Sequence, residues 1–258
     1  MSDRSNIVYL YDGSFDGLLC CVFDSYVRHE IPMDILTDDA PQVLLYETRF
    51  IISDHQKADR IYTSILKKMG NDAEYLIKIG FLCALNAKSL IIYNFIRLGY
   101  THGFQVSNML ADTTVSSLHN MVKAVQNEKH MLLGFVRFSE YNGCLVSVIE
   151  PKHFVLPLMK GHFCARFSGE QFMIYDKTHQ VALIYRPYEA KIIEVEHLEL
   201  PCEDEIEEKY RRLWTQYYNT IAIKERENPK CRMGHMPKRY WLHLTEMTTD
   251  LSPQKQLK

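Results

Sequence analysis

Hydrophobic positions recur at helical spacing through the first half of the chain. The apolar run Ile7–Tyr11 has the composition of a short strand, and Ser14 behind it is placed to cap a helix over residues 15–28. A second helical pattern extends over residues 56–129 and is interrupted at residues 70–72. The sequence therefore predicts an N-terminal strand followed by a mainly helical region.

Short β-type runs replace this pattern in the second half of the chain. Residues 132–138 and 144–149 flank Asn142-Gly143, and Asn-Gly between two such runs is a strong hairpin signal. Residues 171–175 and 181–185 form a second pair of runs separated by a polar turn. Two hairpins are therefore predicted.

A helix over residues 154–167 is predicted between the two hairpins. The order strand, strand, helix, strand, strand predicts an antiparallel sheet with helices on one face. The expected fold class is α+β, with an N-terminal strand and helical block over residues 1–130. The sheet, a C-terminal helix and a basic tail follow over residues 131–258, and we expect one compact unit. The C-terminal helix carries its apolar stripe at Tyr210, Leu213, Trp214, Tyr217 and Ile221.

Composition limits the kinds of protein that this chain can be. It has 258 residues, a hydrophobic content of 47% and a formal net charge of −2. Such a chain can bury one large core or two modest ones. A protein that coats nucleic acid with its whole surface carries a broad basic excess. Any contact with nucleic acid must therefore be local.

The sequence predicts a cytoplasmic protein without membrane contact. The first apolar run, residues 7–10, is too short for the core of a signal peptide. The most apolar longer stretch, residues 76–100, contains charged and amide side chains that are costly in hydrocarbon. The seven cysteines are odd in number and scattered through hydrophobic surroundings, which suits a reducing cytosol.

A basic, aromatic segment behind the last helix is the strongest functional pattern. Cationic side chains bind phosphates, and aromatic rings stack on exposed bases. Only Glu225 and Glu227 offset the positive charge, and proline and glycine residues favour an irregular projecting loop. The alternative is a solvated turn with its aromatic rings packed on the core. The candidate nucleic-acid-binding residues are Lys224, Arg226, Lys230, Arg232, His235, Lys238, Arg239, Tyr240 and Trp241.

Two other places carry side chains suited to catalysis. Asp12 and Asp16 flank the first strand-to-helix turn, where two carboxylates can hold a metal ion. The alternative is that Ser14 caps the helix and that the Asp16 carboxylate interacts favourably with the positive end of the helix dipole. His162 and Arg166 lie on the helix between the hairpins, where one face can present both to a ligand. The alternative there is a packed histidine and a surface arginine.

Known catalytic and metal-binding motifs are missing from the sequence. It contains no G-x-S-x-G, P-loop, G-x-G-x-x-G or H-E-x-x-H motif. Cys231, His235 and His243 do not have the spacing of a standard zinc site. We therefore expect neither a metal ion nor a cofactor, and whether the protein is an enzyme stays open.

The two ends of the chain resemble those of one bacterial protein family. The matching motifs are Tyr11-Asp12-Gly13-Ser14-Phe15-Asp16-Gly17 and Met236-Pro237-Lys238-Arg239-Tyr240-Trp241. His162-Phe163 and Ile174-Tyr175-Asp176-Lys177 resemble the helix and hairpin of the same family. The chain departs from the family pattern at His179, where arginine is more usual, and at Gly234-His235. The family is uncharacterised and carries the label "probable DNA metabolism protein".

This resemblance implies a role in DNA repair or base modification. Members of the family are paired with a radical-SAM protein described as acting in DNA modification or repair. Some are fused to a uracil-DNA glycosylase-like domain. The family has no established catalytic residues that could be assigned to positions of this chain. Asp176, which lies in the shared hairpin motif, is a further catalytic candidate.

Three functions fit these patterns. The first is an accessory DNA-binding component that acts with a radical-SAM partner and grips phosphates through the basic segment. The second is a catalytic subunit, a nucleotide or DNA hydrolase, in which Asp12, Asp16 and His162 converge on a metal ion or a damaged nucleotide. The third is a protein-interaction adaptor without DNA contact.

Overall fold

A computed structural model describes residues 6–38, 46–196, 198 and 205–247, without the side chains of residues 205, 206 and 224. The chain divides into two units, Met1–Val125 and Gln126–Lys258. The described part contains helices and a mixed sheet, so the predicted α+β class is confirmed. Within that part, no helix combines the length and apolar character needed to cross a membrane.

The first unit contains a three-stranded parallel sheet. Its strands are β1 (Ile7–Tyr11), β2 (Asp34–Thr37) and β3 (Glu47–Phe50), and β1 lies between the other two. Every residue of β1 is buried, as expected for a central parallel strand with an unbroken apolar sequence. The predicted strand β1 is confirmed. The polar sequence Glu47–Phe50 gave no comparable strand signal.

Three helices surround this sheet. They are α1 (Phe15–Arg28), α2 (His55–Phe81) and α3 (Lys88–His102), and α1 packs against both of the others. The predicted interruption of the helical pattern appears as a kink inside α2, where Gly70 has a φ of 82°. A side chain at this glycine would also meet the ring of Phe104 at 2.8 Å. The next helix, α4 (Thr113–Phe135), begins in this unit and ends in the second.

The second unit contains a five-stranded sheet in chain order. Its strands are β4 (Ser139–Tyr141), β5 (Cys144–Ile149), β6 (Phe172–Asp176), β7 (Val181–Arg186) and β8 (Glu189–Glu194). Both predicted hairpins are confirmed. The first hairpin has a shorter opening strand than predicted, because the chain up to residue 135 still belongs to α4.

The prediction of a purely antiparallel sheet is wrong at its centre. Strands β5 and β6 are parallel, with Ile149 opposite Asp176. Helix α5 (Leu156–Arg166) connects them, and it packs against β7 and β8. A helical crossover returns the chain in its original direction, so it joins parallel strands. The two hairpins are therefore linked by a β–α–β unit.

The predicted C-terminal helix is confirmed, and short helices follow it where an irregular loop was predicted. Helix α6 (Glu205–Ile221) leads into a 3-10 turn (Lys224–Arg226), helix α7 (Pro229–His235) and a second 3-10 turn (Lys238–His243). Proline suits the first turn of a helix, where its missing N–H would have no partner, and Asn228 caps α7 by accepting a hydrogen bond from Cys231 N. The predicted helix breakers therefore act as helix start signals.

Removing the N-cap of α2 should destabilise the first unit. The Asp54 carboxylate accepts hydrogen bonds from the N–H groups of Gln56 (2.9 Å) and Lys57 (3.2 Å). We expect Asp54→Ala to lower the free energy of unfolding by about 1 kcal/mol. Urea denaturation followed by far-UV circular dichroism measures this loss. The exposed Asp59→Ala in the same helix is the control, and an equal loss in both variants would contradict the prediction.

Candidate functional site

The basic segment, residues 224–241, lies on α7 and the two 3-10 turns that flank it. Arg226, Lys230, His235 and Lys238 are exposed, and Arg232 is half-buried. The side chain of Arg239 is 48% exposed. The segment therefore presents several cationic groups to solvent from short, hydrogen-bonded elements.

The aromatic pair at the end of this segment is buried. Tyr240 and Trp241 are each 4% exposed. The Trp241 indole N–H donates to the Met236 carbonyl (2.9 Å), and Phe135 lies 5.4 Å from the Tyr240 ring centre. These rings do not project into solvent, because burying their large apolar area is favourable. The alternative, packing on the core, is confirmed.

The buried rings hold cations at the surface. The guanidinium of Arg232 lies 5.1 Å from the Trp241 ring centre, and the ammonium of Lys238 lies 5.8 Å from it. The guanidinium of Arg239 lies 4.6 Å from the Tyr240 ring centre. Cation–π contacts at these distances are attractive and do not themselves neutralise a cation. The rings therefore position charge instead of offering stacking faces.

A buried carboxylate anchors the end of the basic segment. Glu128 on α4 has a side chain that is 1% exposed, and it lies 3.1 Å from the guanidinium of Arg239. It accepts hydrogen bonds from Tyr240 Oη (2.9 Å) and from the backbone N–H groups of Lys152 (3.0 Å) and His153 (2.6 Å). A buried charge requires such compensation. Burial and the Glu128 charge raise the pKa of Tyr240 to about 12.

The sequence contained an unused signal for Glu128. Val125, Glu128 and Leu132 follow one another at spacings of three and four residues on α4, and all three are buried. A carboxylate at such a position on an apolar stripe needs partners inside the protein. We did not single it out because those partners lie far away in sequence.

A second buried carboxylate lies where β6 ends. Asp176 is fully buried and accepts hydrogen bonds from the backbone N–H (3.1 Å) and the ring Nδ1 (2.7 Å) of His179. The side chain of His179 is 26% exposed. Burial lowers the pKa of the nearby His153, although the charge of Glu128 opposes this effect. We call Glu128, His153, Asp176, His179 and Arg239 the carboxylate–histidine cluster.

The parallel pairing explains how this cluster forms. Asp176 ends β6 opposite Ile149, which ends β5, so the segments that follow both strands start at the same edge of the sheet. His153 follows β5 and His179 follows β6. In sheets with parallel strands this edge is the usual position for ligands. The antiparallel prediction concealed this arrangement.

The same edge holds a second charged group. Glu150 lies 3.0 Å from Lys177 Nζ and 3.4 Å from His243 Nε2. Burial alone would raise the pKa of Glu150, but the hydrogen bond and charge of Lys177 lower it. Burial lowers the pKa of His243. Within the described ranges, no group of three or more His, Cys, Asp or Glu side chains is arranged to hold a metal ion.

Glu246 fastens the chain behind the basic segment. It is 6% exposed and lies 2.7 Å from Arg137 Nη2, and it accepts a hydrogen bond from the indole N–H of Trp214 (3.0 Å). Burial opposes ionisation of Glu246, but the hydrogen bond from Arg137 leads the contacts that lower its pKa. Glu246 therefore ties the chain that follows the basic segment to Arg137 and Trp214.

The N-terminal carboxylates of the first unit have structural partners. Asp12 accepts hydrogen bonds from Ser14 Oγ (2.7 Å) and Ser53 Oγ (2.7 Å), which lower its pKa against the opposing effect of burial. Asp16 lies 3.0 Å from His55 Nδ1. Ser14 caps α1 by accepting from Gly17 N (2.9 Å), so the alternative of a capped turn is confirmed.

The candidates on α5 are exposed and belong to the second unit. The His162 ring contacts Phe163 edge-on, and the Arg166 guanidinium lies 5.8 Å from the Phe167 ring centre. The predicted convergence of Asp12 and Asp16 with His162 stays a prediction. Of the five catalytic candidates, only Asp176 is a member of the carboxylate–histidine cluster.

Neutralising Glu128 should destabilise the second unit more than removing one of its partners. We expect Glu128→Gln to cost about 3 kcal/mol, because several charge-assisted hydrogen bonds weaken together, and Tyr240→Phe to cost about 1 kcal/mol. Both tryptophans of the chain, Trp214 and Trp241, belong to this unit. Tryptophan fluorescence during urea unfolding therefore measures both losses. Equal losses in the two variants would contradict a central role for the carboxylate.

Comparisons with known proteins place the chain in a family. Residues 86–246 match a family described as a domain of unknown function, DUF4130. This range includes α5, the whole five-stranded sheet, the carboxylate–histidine cluster and the basic segment. Searches of curated proteins and of solved structures give no significant match. The match spans more than half of the sequence, and the chain therefore belongs to the DUF4130 family.

Proposed function

We propose that the protein is an accessory DNA-binding component of a DNA repair or base-modification system. The basic segment supplies the contact, and its cations bind phosphates. The supporting observation is that Arg232 and Lys238 lie over the ring of Trp241 and that Arg226 and Lys230 of the same segment are exposed. The resemblance of the chain to a DNA metabolism family supports DNA as the polyanion.

Electrostatics favour a local, backbone-directed contact. The formal net charge of the chain is −2, so long-range attraction to DNA is weak. Arg239 lies against the Glu128 carboxylate, which cancels much of its charge. The contact therefore depends on Arg226, Lys230 and Lys238. Because the aromatic rings are buried, this surface recognises phosphates and carries little sequence information.

A pocket adjoins the basic segment within the second unit. It has a volume of about 700 Å³, and its lining includes Tyr218, Arg226, Asn228 and Arg232. This volume lies within the range of small-molecule sites. Glu227 and Glu246 also line it, so its charge is mixed. The pocket gives a phosphate or a nucleotide end a place beside the exposed cations.

The exposed face of α6 fits the proposed radical-SAM partner. The apolar stripe of this helix is largely open: Tyr210 is 66% exposed, Trp214 43% and Tyr217 55%. A row of exposed aromatic side chains on a helix is typical of protein interfaces. We propose that α6 contacts the partner protein while the basic segment contacts DNA. This face would also serve the adaptor without DNA contact.

Removing two exposed cations should weaken DNA binding and its salt dependence. We expect the double variant Arg226→Gln, Lys230→Gln to bind a short DNA duplex at least tenfold more weakly at low salt. The slope of log affinity against log salt should fall by about 2, because each lost phosphate contact removes about 1. Fluorescence anisotropy across a salt series measures both effects. These positions are better targets than Arg239, whose loss would leave Glu128 buried without its partner.

Lys191→Gln is the control for one unit of lost charge. This lysine lies on β8 outside the basic segment, and its side chain is 69% exposed. It should leave both affinity and slope close to the unchanged protein. Absence of DNA binding at low salt, or an equal effect of Lys191→Gln, would remove the basis of the proposal.

Asp176 and His179 favour a second function, catalysis of hydrolysis. A buried carboxylate that holds one ring nitrogen of a histidine leaves the other nitrogen to act as a general base. His179 Nδ1 lies 2.7 Å from Asp176, and the histidine side chain is partly exposed. This arrangement supports the hydrolase alternative at a place different from the N-terminal turn.

Loss of this base should be visible as loss of activity. With a chromogenic phosphodiester and single-stranded DNA as substrates, we expect His179→Gln to lower the hydrolysis rate at least a hundredfold. Asp176→Asn should have a similar effect, because the histidine loses its orienting partner. The exposed His130→Gln is the control. A protein that hydrolyses neither substrate, or a fully active His179→Gln, would refute this function.

A further inference from the structure

A pocket in the first unit combines aromatic walls with cations. It has a volume of about 510 Å³. Helix α1 contributes Phe23 and Tyr26, α2 contributes Arg60, Ser64 and Lys68, and α3 contributes Tyr100. None of these residues belongs to the basic segment or to the carboxylate–histidine cluster.

The aromatic walls are fixed by packing. The rings of Tyr26 and Tyr100 meet edge to face, with centres 5.4 Å apart and planes at 86°. Tyr26 is nevertheless 39% exposed, and burial raises the pKa of both tyrosines. Both phenols therefore stay neutral at ordinary pH, and their rings form a firm apolar surface that remains open to a ligand.

Each ring also holds a cation. Arg60 lies 5.2 Å from the centre of Phe23 and Lys68 lies 5.1 Å from that of Tyr100. On the neighbouring face, Arg97 lies 4.9 Å from the centre of Tyr26. These contacts orient the cations around the pocket without neutralising them.

Among the described residues, neither Arg60, Lys68 nor Arg97 has a carboxylate within ion-pair distance. The acidic residue beside Phe23 is Asp24, and Lys57 (3.3 Å) and Arg28 (3.6 Å) already contact it. The pocket therefore has an apolar, aromatic lining and a positive rim.

We propose that this pocket binds a nucleotide. The base lies against the aromatic walls, and the phosphate is held by Lys68 and Arg60. A simple anion would make no stacking contact with the rings, and a neutral aromatic molecule would leave the cations without a counter-charge. The volume suits a ligand of this size. The nucleotide is either a free mononucleotide or one residue of single-stranded DNA, since both carry the same chemistry.

Lys68→Glu and Lys67→Glu form a matched pair for testing the pocket. The two lysines are adjacent on α2 and both are exposed, but only Lys68 lines the pocket. Both variants of the full chain change the net charge equally. Isothermal titration with deoxyadenosine monophosphate and with a ten-nucleotide single strand measures binding. We expect Lys68→Glu to weaken binding at least tenfold and Lys67→Glu to change it less than twofold.

A ring variant and a second ligand test the base contact. Tyr26→Leu keeps an apolar side chain but removes the ring, and it should weaken nucleotide binding about fivefold. Inorganic phosphate should bind at least tenfold more weakly than the nucleotide. Near-UV circular dichroism verifies that each variant is folded. Equal affinity for inorganic phosphate, or no effect of Tyr26→Leu, would overturn the proposed base contact.

The remaining outcomes are also decisive. Binding of the mononucleotide identifies a free nucleotide as sufficient, whereas binding of the single strand alone identifies DNA as the source. No binding of either, or equal losses in Lys67→Glu and Lys68→Glu, overturns the proposal.

The double variant Arg226→Gln, Lys230→Gln separates this site from the proposed function. It should lose duplex binding and keep nucleotide binding; loss of nucleotide binding in it would assign that binding to the basic segment instead.

Discussion

The buried charge of Glu128 is the constraint on which the end of the second unit depends. A carboxylate inside a protein must be compensated by hydrogen bonds and opposite charge, or the folded state is penalised. Here the compensation comes from two backbone N–H groups behind β5 and from Tyr240 and Arg239. The residues that contact Glu128 are therefore distant in sequence but fixed in space. The position of Arg239 and Tyr240, at the end of the basic segment, follows from this carboxylate.

This anchoring separates the positive charge of the basic segment from its aromatic rings, which the sequence had suggested would act together. The rings of Tyr240 and Trp241 are buried, and Arg232 and Lys238 make cation–π contacts with the Trp241 ring. A polyanion that approaches Arg232 and Lys238 meets their charge, while the faces of Tyr240 and Trp241 are buried. These two rings therefore do not stack on a base. The rings of Tyr26 and Tyr100, by contrast, line a pocket with cations at its rim.

Local signals were sufficient for much of the fold. Ser14 caps its helix, and Asn142 and Gly143 both adopt positive φ, 51° and 78°, in the two-residue turn of the first hairpin. These features depend on a few neighbouring residues, so the sequence predicts them well. The parallel pairing of β5 with β6 depends on a crossover instead. Two hairpins and a helix satisfy either pairing locally, and only the packing of the whole sheet selects one.

The candidate site was harder to predict for the same reason. Asp176 was recognised through a motif, whereas Glu128 and His153 acquire their importance only when β5 and β6 end at one edge. Arg239 illustrates the reverse case, in which a sequence pattern suggests more than the side chain can do. Its charge suggested phosphate binding, but the structure gives it a carboxylate partner. Charge in a sequence indicates what a side chain can bind, but the nearest opposite charge in space decides whether it is available. By that criterion, and among the residues that the structure describes, Arg60, Lys68, Arg226 and Lys230 are better binding groups than the arginine in the most specific motif.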